Sequence, residues 1–249
     1  MIIDSIQNKH IKLIKKILTS KYQKKEQKYL IEGRNLVDEA IHYQEPLEIL
    51  ATEQAAAYLS GSTDHFTLIS EQVAKYLSST VTPEGIFAVM PIRQETPQPG
   101  NWLIFDELQD PGNAGTILRT ADFFDYQGVF FSPKSVSPYS PKVLRSAQGS
   151  NFHLQVVIGP TMPFIEQLKS WGELVLGTTL HEQAKEVQDL DLNEPYALVL
   201  GNEGHGLSKE IGATIDENIL IPTKGHAESL NVSVAAGILM YALNIINKN

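Results

Sequence analysis

The amino-acid sequence predicts an α/β protein in which a small α/β unit precedes a larger unit built on a mostly parallel sheet. In the second half of the chain, apolar runs that fit buried strands alternate with stretches that fit helices. Between the halves, residues 91–100 (PIRQETPQPG) hold three prolines and a glycine among mostly polar residues, which is typical of a linker. We therefore predict one domain over residues 1–92 and a second over residues 101–249.

The first unit is predicted to begin with an amphipathic helix over residues 9–18. Ile11, Ile14 and Ile17 are spaced three apart, which gathers them on one face, and the lysines fall mostly on the other. The remaining elements predicted for this unit are helices over Glu32–Tyr43 and near Glu71–Leu77, and strands at PLEIL (46–50), FTLIS (66–70) and GIFAVM (85–90).

In the second unit, predicted strands alternate with predicted helices. The strands are Trp102–Phe105, Val129–Phe131, Leu174–Leu176, Ala197–Leu200 and Ile219–Ile221. The helices are Ala114–Phe124, Lys142–Gln148, Phe164–Ser170 and Leu230–Ile246. Alternation at this spacing indicates βα units around a parallel sheet with helices on both faces. Such sheets bind ligands at the carboxyl ends of their strands, so the loops that follow the strands are the first place to seek a site.

Composition excludes several kinds of chemistry. The chain has no cysteine, and its seven histidines lack the spacing of paired metal ligands, so neither thiolate chemistry nor a built-in metal site is expected. No apolar run approaches the length of a membrane span, and the start, MIIDSIQNKHIK, lacks the layout of a secretion signal. We expect a cytoplasmic protein that does not enter a membrane and that takes any demanding chemistry from a diffusible cofactor.

The charge of the chain is distributed unevenly. Residues 1–28 carry eight lysines against one aspartate and one glutamate, a local charge of +6 that leaves −15 for the rest of a chain whose net charge is −9. A basic segment of this kind can bind an anionic partner, or it can be an ordinary solvated helix face. The residues that would make such contacts are Lys9, Lys12, Lys16, Lys24 and Lys25.

The first loop of interest lies within residues 106–124 (DELQDPGNAGTILRTADFF), after a predicted strand. Asp110 to Asn113 form a predicted turn that leads into a helix, with Asn113 as the N-cap and Arg119 about a turn and a half inside. By itself this segment is also compatible with a capped helix that carries a surface arginine.

The second loop lies within residues 198–210 (LVLGNEGHGLSKE), where three glycines surround Glu203 within six residues. Glycines permit positive φ and let backbone N–H groups approach a ligand closely. The segment is not a phosphate-binding P-loop, because Leu207-Ser208 stands where Lys-Ser/Thr is required, and the dinucleotide fingerprint fails as well. The pattern leaves a glycine-rich turn whose ligand is open.

The third loop lies within residues 219–243 (ILIPTKGHAESLNVSVAAGILMYAL), where a strand and a polar loop precede a helix whose predicted first turn holds Ser229 and Asn231. Small residues follow, and Gly237 inside a helix costs about 1 kcal/mol relative to alanine. We therefore expect this helix to pack closely against another backbone, which fits a buried C-terminal helix as well as a functional one.

Taken together and in this order, the three loops resemble the SpoU/TrmH family of RNA ribose methyltransferases in the SPOUT superfamily. The matching motifs are Asn113-x-Gly115-x-x-x-Arg119, Gly201-Asn202-Glu203-Gly204-x-Gly206, and Ile221-Pro222 through Ser229-Leu230-Asn231-Val232-Ser233-x-Ala235. Residues 140–150 (SPKVLRSAQGS) resemble the family's Pro-Lys-x-x-Arg segment, and the front end is similar to the ribosomal-protein-like RNA-binding domain of many members. The chain departs from the family at Thr223, where methionine is common, and at Phe124-Asp125, where a small residue and glycine are usual.

The resemblance implies an enzyme that transfers a methyl group from S-adenosylmethionine to a ribose 2′-hydroxyl of RNA. It implies a sheet whose C-terminal part forms a trefoil knot, cofactor contacts at Gly201, Ile221 and Leu230, and a homodimer. The lysines of residues 1–28 and Arg145 would then contact RNA phosphates. Ribosomal RNA is the favoured substrate, because the front end resembles that of the ribosomal members.

The residues that the resemblance assigns to catalysis are Asn113, Arg119, Glu203, Ser229 and Asn231. An arginine almost never loses its proton, so we expect Arg119 to clamp a phosphate beside the target ribose and to stabilise the developing alkoxide. Glu203 would orient Arg119 or accept the proton through water, and the two asparagines would orient the centre. Ser229 would contact the reacting hydroxyl or the substrate.

Other interpretations stay open at the level of sequence. The protein could be a transfer-RNA methyltransferase, or an RNA-binding homologue without activity, although such a homologue would be expected to have lost at least one of Asn113, Arg119, Glu203 and Asn231. A nucleotide-binding α/β enzyme of another class is less well supported, because the sequence matches neither phosphate-loop pattern. A purely structural protein would leave the set of polar residues without explanation.

Overall fold

The computed structural model describes residues 2–59, 65–179, 184–223, 225–226 and 228–246. The chain forms two compact units: Met1–Gln94 with Tyr139–His153, and Glu95–Pro138 with Leu154–Asn249. The first break between the units, after Gln94, lies inside the proline-rich segment that the sequence indicates as a linker. The segment Tyr139–His153 belongs to the first unit although the sequence suggested the second.

The first unit is built on a five-stranded mixed sheet. Its strands are β1 (Ile2–Ile3), β2 (Lys28–Glu32), β3 (Glu48–Ala51), β4 (Thr67–Ile69) and β5 (Ile86–Pro91), in the order β1-β4-β3-β5-β2. Strand β5 pairs antiparallel with β2 and β3, and the other pairs are parallel. The helices of the first 94 residues are α1 (Lys9–Lys16), α2 (Ser20–Glu26), α3 (Arg34–Tyr43), α4 (Glu53–Ala56) and α5 (Glu71–Leu77).

Helix α1 has the amphipathic character that its sequence predicts. Ile11, Ile14 and Ile17 are all buried, in a core that includes Leu50 and Phe87. Helix α2 and strand β2, however, lie between the first two predicted helices, where no element was predicted. Between them Gln27 adopts a left-handed conformation, with φ +50°, which ends the helix and turns the chain into the strand. Glutamine is not a residue type that indicates a left-handed conformation, so the sequence does not predict this turn.

The second half of the chain supplies seven strands and five helices among the described residues. The strands are β6 (Trp102–Phe105), β7 (Gly128–Phe131), β8 (Gln155–Ile158), β9 (Leu174–Thr178), β10 (Lys185–Glu186), β11 (Tyr196–Leu200) and β12 (Glu217–Leu220). The helices are α6 (Pro111–Phe123), α7 (Pro141–Ala147), α8 (Thr161–Ser170), α9 (Lys209–Gly212) and α10 (Val232–Ile246).

These strands form one parallel sheet in the order β10-β12-β9-β11-β6-β7-β8, which confirms the predicted architecture. The two strands that the sequence analysis missed, β8 and β10, lie at the two edges, where burial is least complete and the apolar pattern weakest. Strand β11 is inserted between β6 and β9, and β12 between β9 and β10. This returning path is compatible with a trefoil knot, which stays a prediction.

Helix α7 belongs to the first unit because its surroundings come from residues 1–94. The ring of Tyr139 stacks on Tyr29 with 4.6 Å between centroids, and Gln23 Nε2 donates a hydrogen bond of 2.8 Å to the Tyr139 carbonyl. Arg145 donates to the Ser79 hydroxyl at 2.5 Å. The excursion between β7 and β8 therefore completes the first unit, an arrangement that the order of elements along the chain could not predict.

Two properties of the described residues bear on the class of protein. None of their helices is long and apolar enough to span a bilayer. No group of three or more histidine, cysteine, aspartate or glutamate side chains among them is arranged to hold a metal ion.

Candidate active site

Three loops of the second unit follow strands of one parallel sheet, so they emerge at the same edge. They follow β6, β11 and β12, and their described residues are 106–110, 201–208, and 221–223 with 225–226 and 228–231. Strand β11 pairs directly with β6, and β9 separates it from β12. Ligands of open parallel sheets bind at this carboxyl edge.

The first loop ends in helix α6, and its cap differs from the predicted one. Asp110 is the N-cap: its Oδ1 accepts the N–H of Asn113 at 2.8 Å, and Pro111 occupies the first helical turn. The prediction of Asn113 as N-cap was therefore wrong, because Asn113 lies inside the helix. Since Asp110 performs the capping, the Asn113 side chain is available to the other two loops.

The second loop is a tight turn in which glycine is required. Asn202 and Gly206 exchange backbone hydrogen bonds of 3.0 and 2.9 Å. A Cβ at Gly201 would lie 2.3 Å from the backbone carbon of Gly206, and Gly206 itself has φ +70°. A larger residue at Gly201 would therefore force the turn open.

Two contacts tie this turn to the residues after β6. Asn202 Nδ2 donates to the Glu107 carbonyl at 2.9 Å, and the N–H of Ser208 donates to Asp106 Oδ2 at 2.7 Å. Asp106 is buried, so this hydrogen bond compensates a carboxylate removed from water. The sequence analysis gave no role to Asp106 or Asn202. Asp106 could have been noticed in the sequence, because it is a carboxylate directly after a strand that is predicted to be buried.

Glu203, at the tip of the turn, reaches the start of helix α6. Its carboxylate accepts the N–H groups of Gln109 and Asp110 at 3.3 and 3.1 Å, and Asn113 Nδ2 at 3.3 Å. Partial burial raises the pKa of Glu203, but the hydrogen bonds from its own N–H and from these donors outweigh it and hold the pKa below its ordinary value. Glu203 is thus an anion at neutral pH whose oxygens are occupied by donors.

Asn231 brings the third loop into the same network. Its Nδ2 donates to Asn113 Oδ1 at 3.1 Å, while its own Oδ1 accepts the N–H of Ser233 at 2.8 Å and the Ser233 hydroxyl at 2.6 Å. Helix α10 begins at Val232, so Ser229 and Asn231 precede the helix instead of lying in its first turn as predicted. Asn231 therefore caps α10 and contacts α6 at the same time.

Arg119 and Ser229 lie outside this network. Both are exposed, and neither side chain makes a hydrogen bond or ion pair within the described part of the chain. In particular, Glu203 contacts Asn113 and not Arg119, so the expected orientation of Arg119 by Glu203 is absent from the described contacts. Both side chains are exposed, so a substrate can reach them.

The three residues expected to bind S-adenosylmethionine have the properties that such an amphiphilic ligand needs. Gly201 is buried in the tight turn, Ile221 is half-buried after β12, and Leu230 is 48% exposed just before α10. Apolar side chains beside backbone N–H and C=O groups suit an adenine ring, which needs an apolar slot with polar groups at its edge. The residues present therefore fit the cofactor.

The residues expected to bind RNA lie in the first unit. Lys9, Lys12, Lys16, Lys24 and Lys25 are all exposed. Lys16 and Lys25 flank the ring of Tyr22, at 5.3 and 6.0 Å from its centroid. Arg145 is only partly exposed and donates to Ser79, whose hydroxyl donates in turn to Glu32 at 3.1 Å.

Comparison with known proteins gives this arrangement a family. The SpoU rRNA methylase family matches residues 101–241, and an MRM3-like substrate binding domain matches residues 8–88. The chain is 37% identical over 244 residues to the 23S rRNA (guanosine(2553)-2′-O)-methyltransferase RlmP of Bacillus subtilis, covering 97% of this chain and 98% of that protein.

Solved structures agree with the sequence relatives. The AdoMet-bound rRNA methyltransferase from Sinorhizobium meliloti has 26% identity and a TM-score of 0.85, with 97% of this chain and 96% of the other covered. The SpoU methyltransferase AviRb from Streptomyces viridochromogenes in complex with AdoMet has 25% identity and a TM-score of 0.84, with 96% and 98% covered. The chain belongs to the SpoU rRNA methylase family.

Proposed function

We propose that this protein transfers the methyl group of S-adenosylmethionine to a ribose 2′-hydroxyl of ribosomal RNA. The observation that carries the proposal is the hydrogen-bonded line Glu203–Asn113–Asn231, which joins the three family motifs at one edge of the sheet. RlmP, a relative that matches nearly the whole chain, carries a 23S rRNA 2′-O-methyltransferase name. All five residues that the resemblance assigns to catalysis are present, which argues against an inactive homologue.

The bound cofactor would supply an activated methyl group, so the protein has two remaining tasks. It must align the 2′-oxygen with that methyl group, and it must help the hydroxyl to lose its proton. We assign alignment to the line of polar residues, because Asn113 is fixed by Glu203 on one side and by Asn231 on the other. Gly201, Ile221 and Leu230 would hold the cofactor.

Arg119 is the residue best suited to the developing charge. Its guanidinium is exposed, and since arginine side chains almost never lose their proton, it can donate to a phosphate and to the forming alkoxide but is not an ordinary base. Glu203 is a weak candidate for proton acceptor, because its oxygens already accept three hydrogen bonds from the α6 loop and its pKa is lowered. We assign it the orientation of Asn113. Ser229, whose hydroxyl makes no hydrogen bond within the described part of the chain, would contact the substrate.

The first domain, residues 1–92, would bind the RNA, and residues 101–249 would perform the transfer. The exposed lysines around Tyr22 supply the positive charge that an otherwise acidic chain needs for contact with phosphates. Arg145 would add a phosphate contact from the segment that packs in the first unit. The cytoplasm is the location we propose.

We also propose a homodimer formed through α10. Val234, Ile238, Tyr241 and Ile245 are 51, 40, 60 and 45% exposed, and their spacing places them on one stripe of the helix. Phe123, at the end of α6, is 81% exposed. We expected Gly237 to allow close packing against another backbone, and a Cβ there would meet nothing within 4 Å among the described residues of this chain. A second copy is the partner that would use this open apolar surface.

The decisive experiment maps 2′-O-methylated positions in total RNA from cells with and without the gene. We expect one or more ribosomal positions to lose methylation, and purified protein with S-adenosylmethionine to restore it. A site confined to transfer RNA would favour the alternative substrate. A substrate with 2′-deoxyribose at the mapped position should accept no methyl group, and continued methylation of it would overturn the assignment to ribose.

A further inference from the structure

A cleft outside the candidate active site lies wholly within the first unit. The cleft is open to solvent and has a volume of about 390 Å³, which is within the range of small-ligand sites. Its walls come from the start of α3, from α4 with the residue Tyr58 beyond it, from the start of α5, and from residues 83–86 before and within β5. None of these residues belongs to the three family motifs.

A cation–π contact between Arg34 and Tyr58 forms part of one wall of the cleft. The guanidinium carbon of Arg34 lies 4.6 Å from the centroid of the Tyr58 ring. Tyr58 is 48% exposed, so much of the ring is in solvent despite this contact. Aromatic rings and guanidinium planes are the surfaces on which proteins stack bases of unpaired RNA.

The charges of the cleft favour a base over a phosphate. Two carboxylates, Glu71 and Glu84, line the cleft with one guanidinium, so the anionic backbone of RNA would be repelled. Glu84 already accepts the N–H of Arg34 at 2.9 Å. Glu71 makes no ion pair or side-chain hydrogen bond with the described residues, and it is exposed. A free carboxylate can accept hydrogen bonds from a neutral base that presents N–H groups.

Guanine is the base that matches these groups best, because its Watson–Crick edge presents two adjacent N–H donors, which suit one carboxylate. Gln54, also exposed in the lining, offers an amide to the remaining edge. We propose that this cleft binds one unpaired guanine of the RNA substrate by stacking on Tyr58 and hydrogen bonding to Glu71. The inference rests on the proposed function, because it requires that RNA is the substrate.

The test measures the affinity of protein variants for RNA variants, with the full-length protein and without cofactor. The RNA probes are a uridine decamer with one central guanosine, the same decamer with inosine, which lacks the N2 amino group, and the same decamer with an abasic nucleotide. We expect the wild-type protein to bind the guanosine decamer roughly tenfold more tightly than the abasic one, the size of one stacked base.

Tyr58→Ala should remove this preference while its affinity for the abasic decamer stays unchanged, and Tyr58→Phe should retain the preference. Glu71→Gln should bind the guanosine and inosine decamers equally. Tyr43→Ala is the matched control, because Tyr43 is 59% exposed in the same unit but packs against His153 outside the cleft. Melting temperatures establish that each variant is folded.

Equal wild-type affinity for the guanosine and abasic decamers would overturn the proposal, as would an equal loss for both in Tyr58→Ala. Failure of the proposed function would look different. In that case the wild-type protein would methylate no RNA. If instead it methylates ribosomal RNA but binds the guanosine and abasic decamers equally, only the proposal of a guanine site in the cleft is refuted.

Discussion

Asn231 donates a hydrogen bond of 3.1 Å from its side chain to the side chain of Asn113, although the two residues are 118 positions apart in the chain. Asn113 in turn donates to Glu203 on the glycine turn. The side-chain amide of Asn113 thus links the second and third loops. We expect the alignment of groups at this edge of the sheet to depend on this link.

Asn113→Ala removes both side-chain contacts and should lower the rate of methyl transfer about a hundredfold, the scale of a lost alignment. The melting temperature should change little, because the Asp110 cap uses the backbone N–H of residue 113 and survives. Single-turnover rates at saturating cofactor measure the effect. Thr116→Ala is the control, since Thr116 is exposed on the same helix and its hydroxyl bonds only the Gly112 carbonyl. A wild-type rate in Asn113→Ala would remove this link from the mechanism.

Glu203→Gln separates an orienting carboxylate from a base. As an orienting group, Glu203 has a lowered pKa, so it stays ionised and functional from neutral pH down past its ordinary value of 4.5. Its contribution should be lost only as the pH falls through that lowered pKa. Glu203→Gln should therefore reduce the rate by a similar factor across the neutral range. A variant that instead lost the pH dependence of the rate would identify Glu203 as the proton acceptor.

Arg119→Ala should bind S-adenosylmethionine almost normally but lose on the order of a hundredfold or more in rate, as expected for a removed charge-stabilising donor. Arg119→Lys keeps the charge and loses the planar fork, so it should stay strongly impaired. Calorimetry measures binding, and single-turnover transfer measures chemistry. Full activity in Arg119→Ala would exclude the residue from the reaction.

Charge removal around Tyr22 should weaken RNA binding in a salt-dependent way. The double variant Lys16→Gln, Lys25→Gln should lower affinity and reduce the slope of log affinity against log salt by about 0.7 per lost phosphate contact. Full-length variants are needed, because the segment Tyr139–His153 packs with residues 1–94 and a truncation would expose it.

The matched control for this variant is Lys169→Gln, Lys185→Gln, which removes the same charge at lysines that pair with Asp216 and Glu217 at 2.6 Å. Its slope should equal that of the wild-type protein. If both double variants change the slope equally, the lysine cluster is an ordinary solvated surface.

Ile238→Asp should convert the proposed dimer to a monomer, because it places a charge in the exposed stripe of α10 where an apolar partner surface is expected. Sedimentation at micromolar concentration measures the change. Lys209→Asp, at an exposed position of the same unit but outside the stripe, should leave the assembly unchanged. Wild-type protein that sediments only as a monomer would contradict the dimer.

The sequence determined the class of fold, the main strands and the motif loops. Unbroken apolar runs predict buried strands such as Trp102–Phe105. Helix α5 occupies the predicted residues because its Ser70 cap and its apolar face are both local features of the sequence. Asp125, where glycine is usual in the family, has φ +57°, so the family preference is explained by local backbone conformation.

Only the tertiary structure decided which polar groups meet. Asp110 and Asn113 both suit an N-cap, and the choice between them depends on where the chain leaves β6. Glu203 could have oriented Arg119 by residue type alone, but the glycine turn, held by Asn202 and Asp106, directs it to Asn113. Side-chain type defines what each group can bind, whereas the pairing of loops from distant strands determines which partner lies within hydrogen-bonding distance.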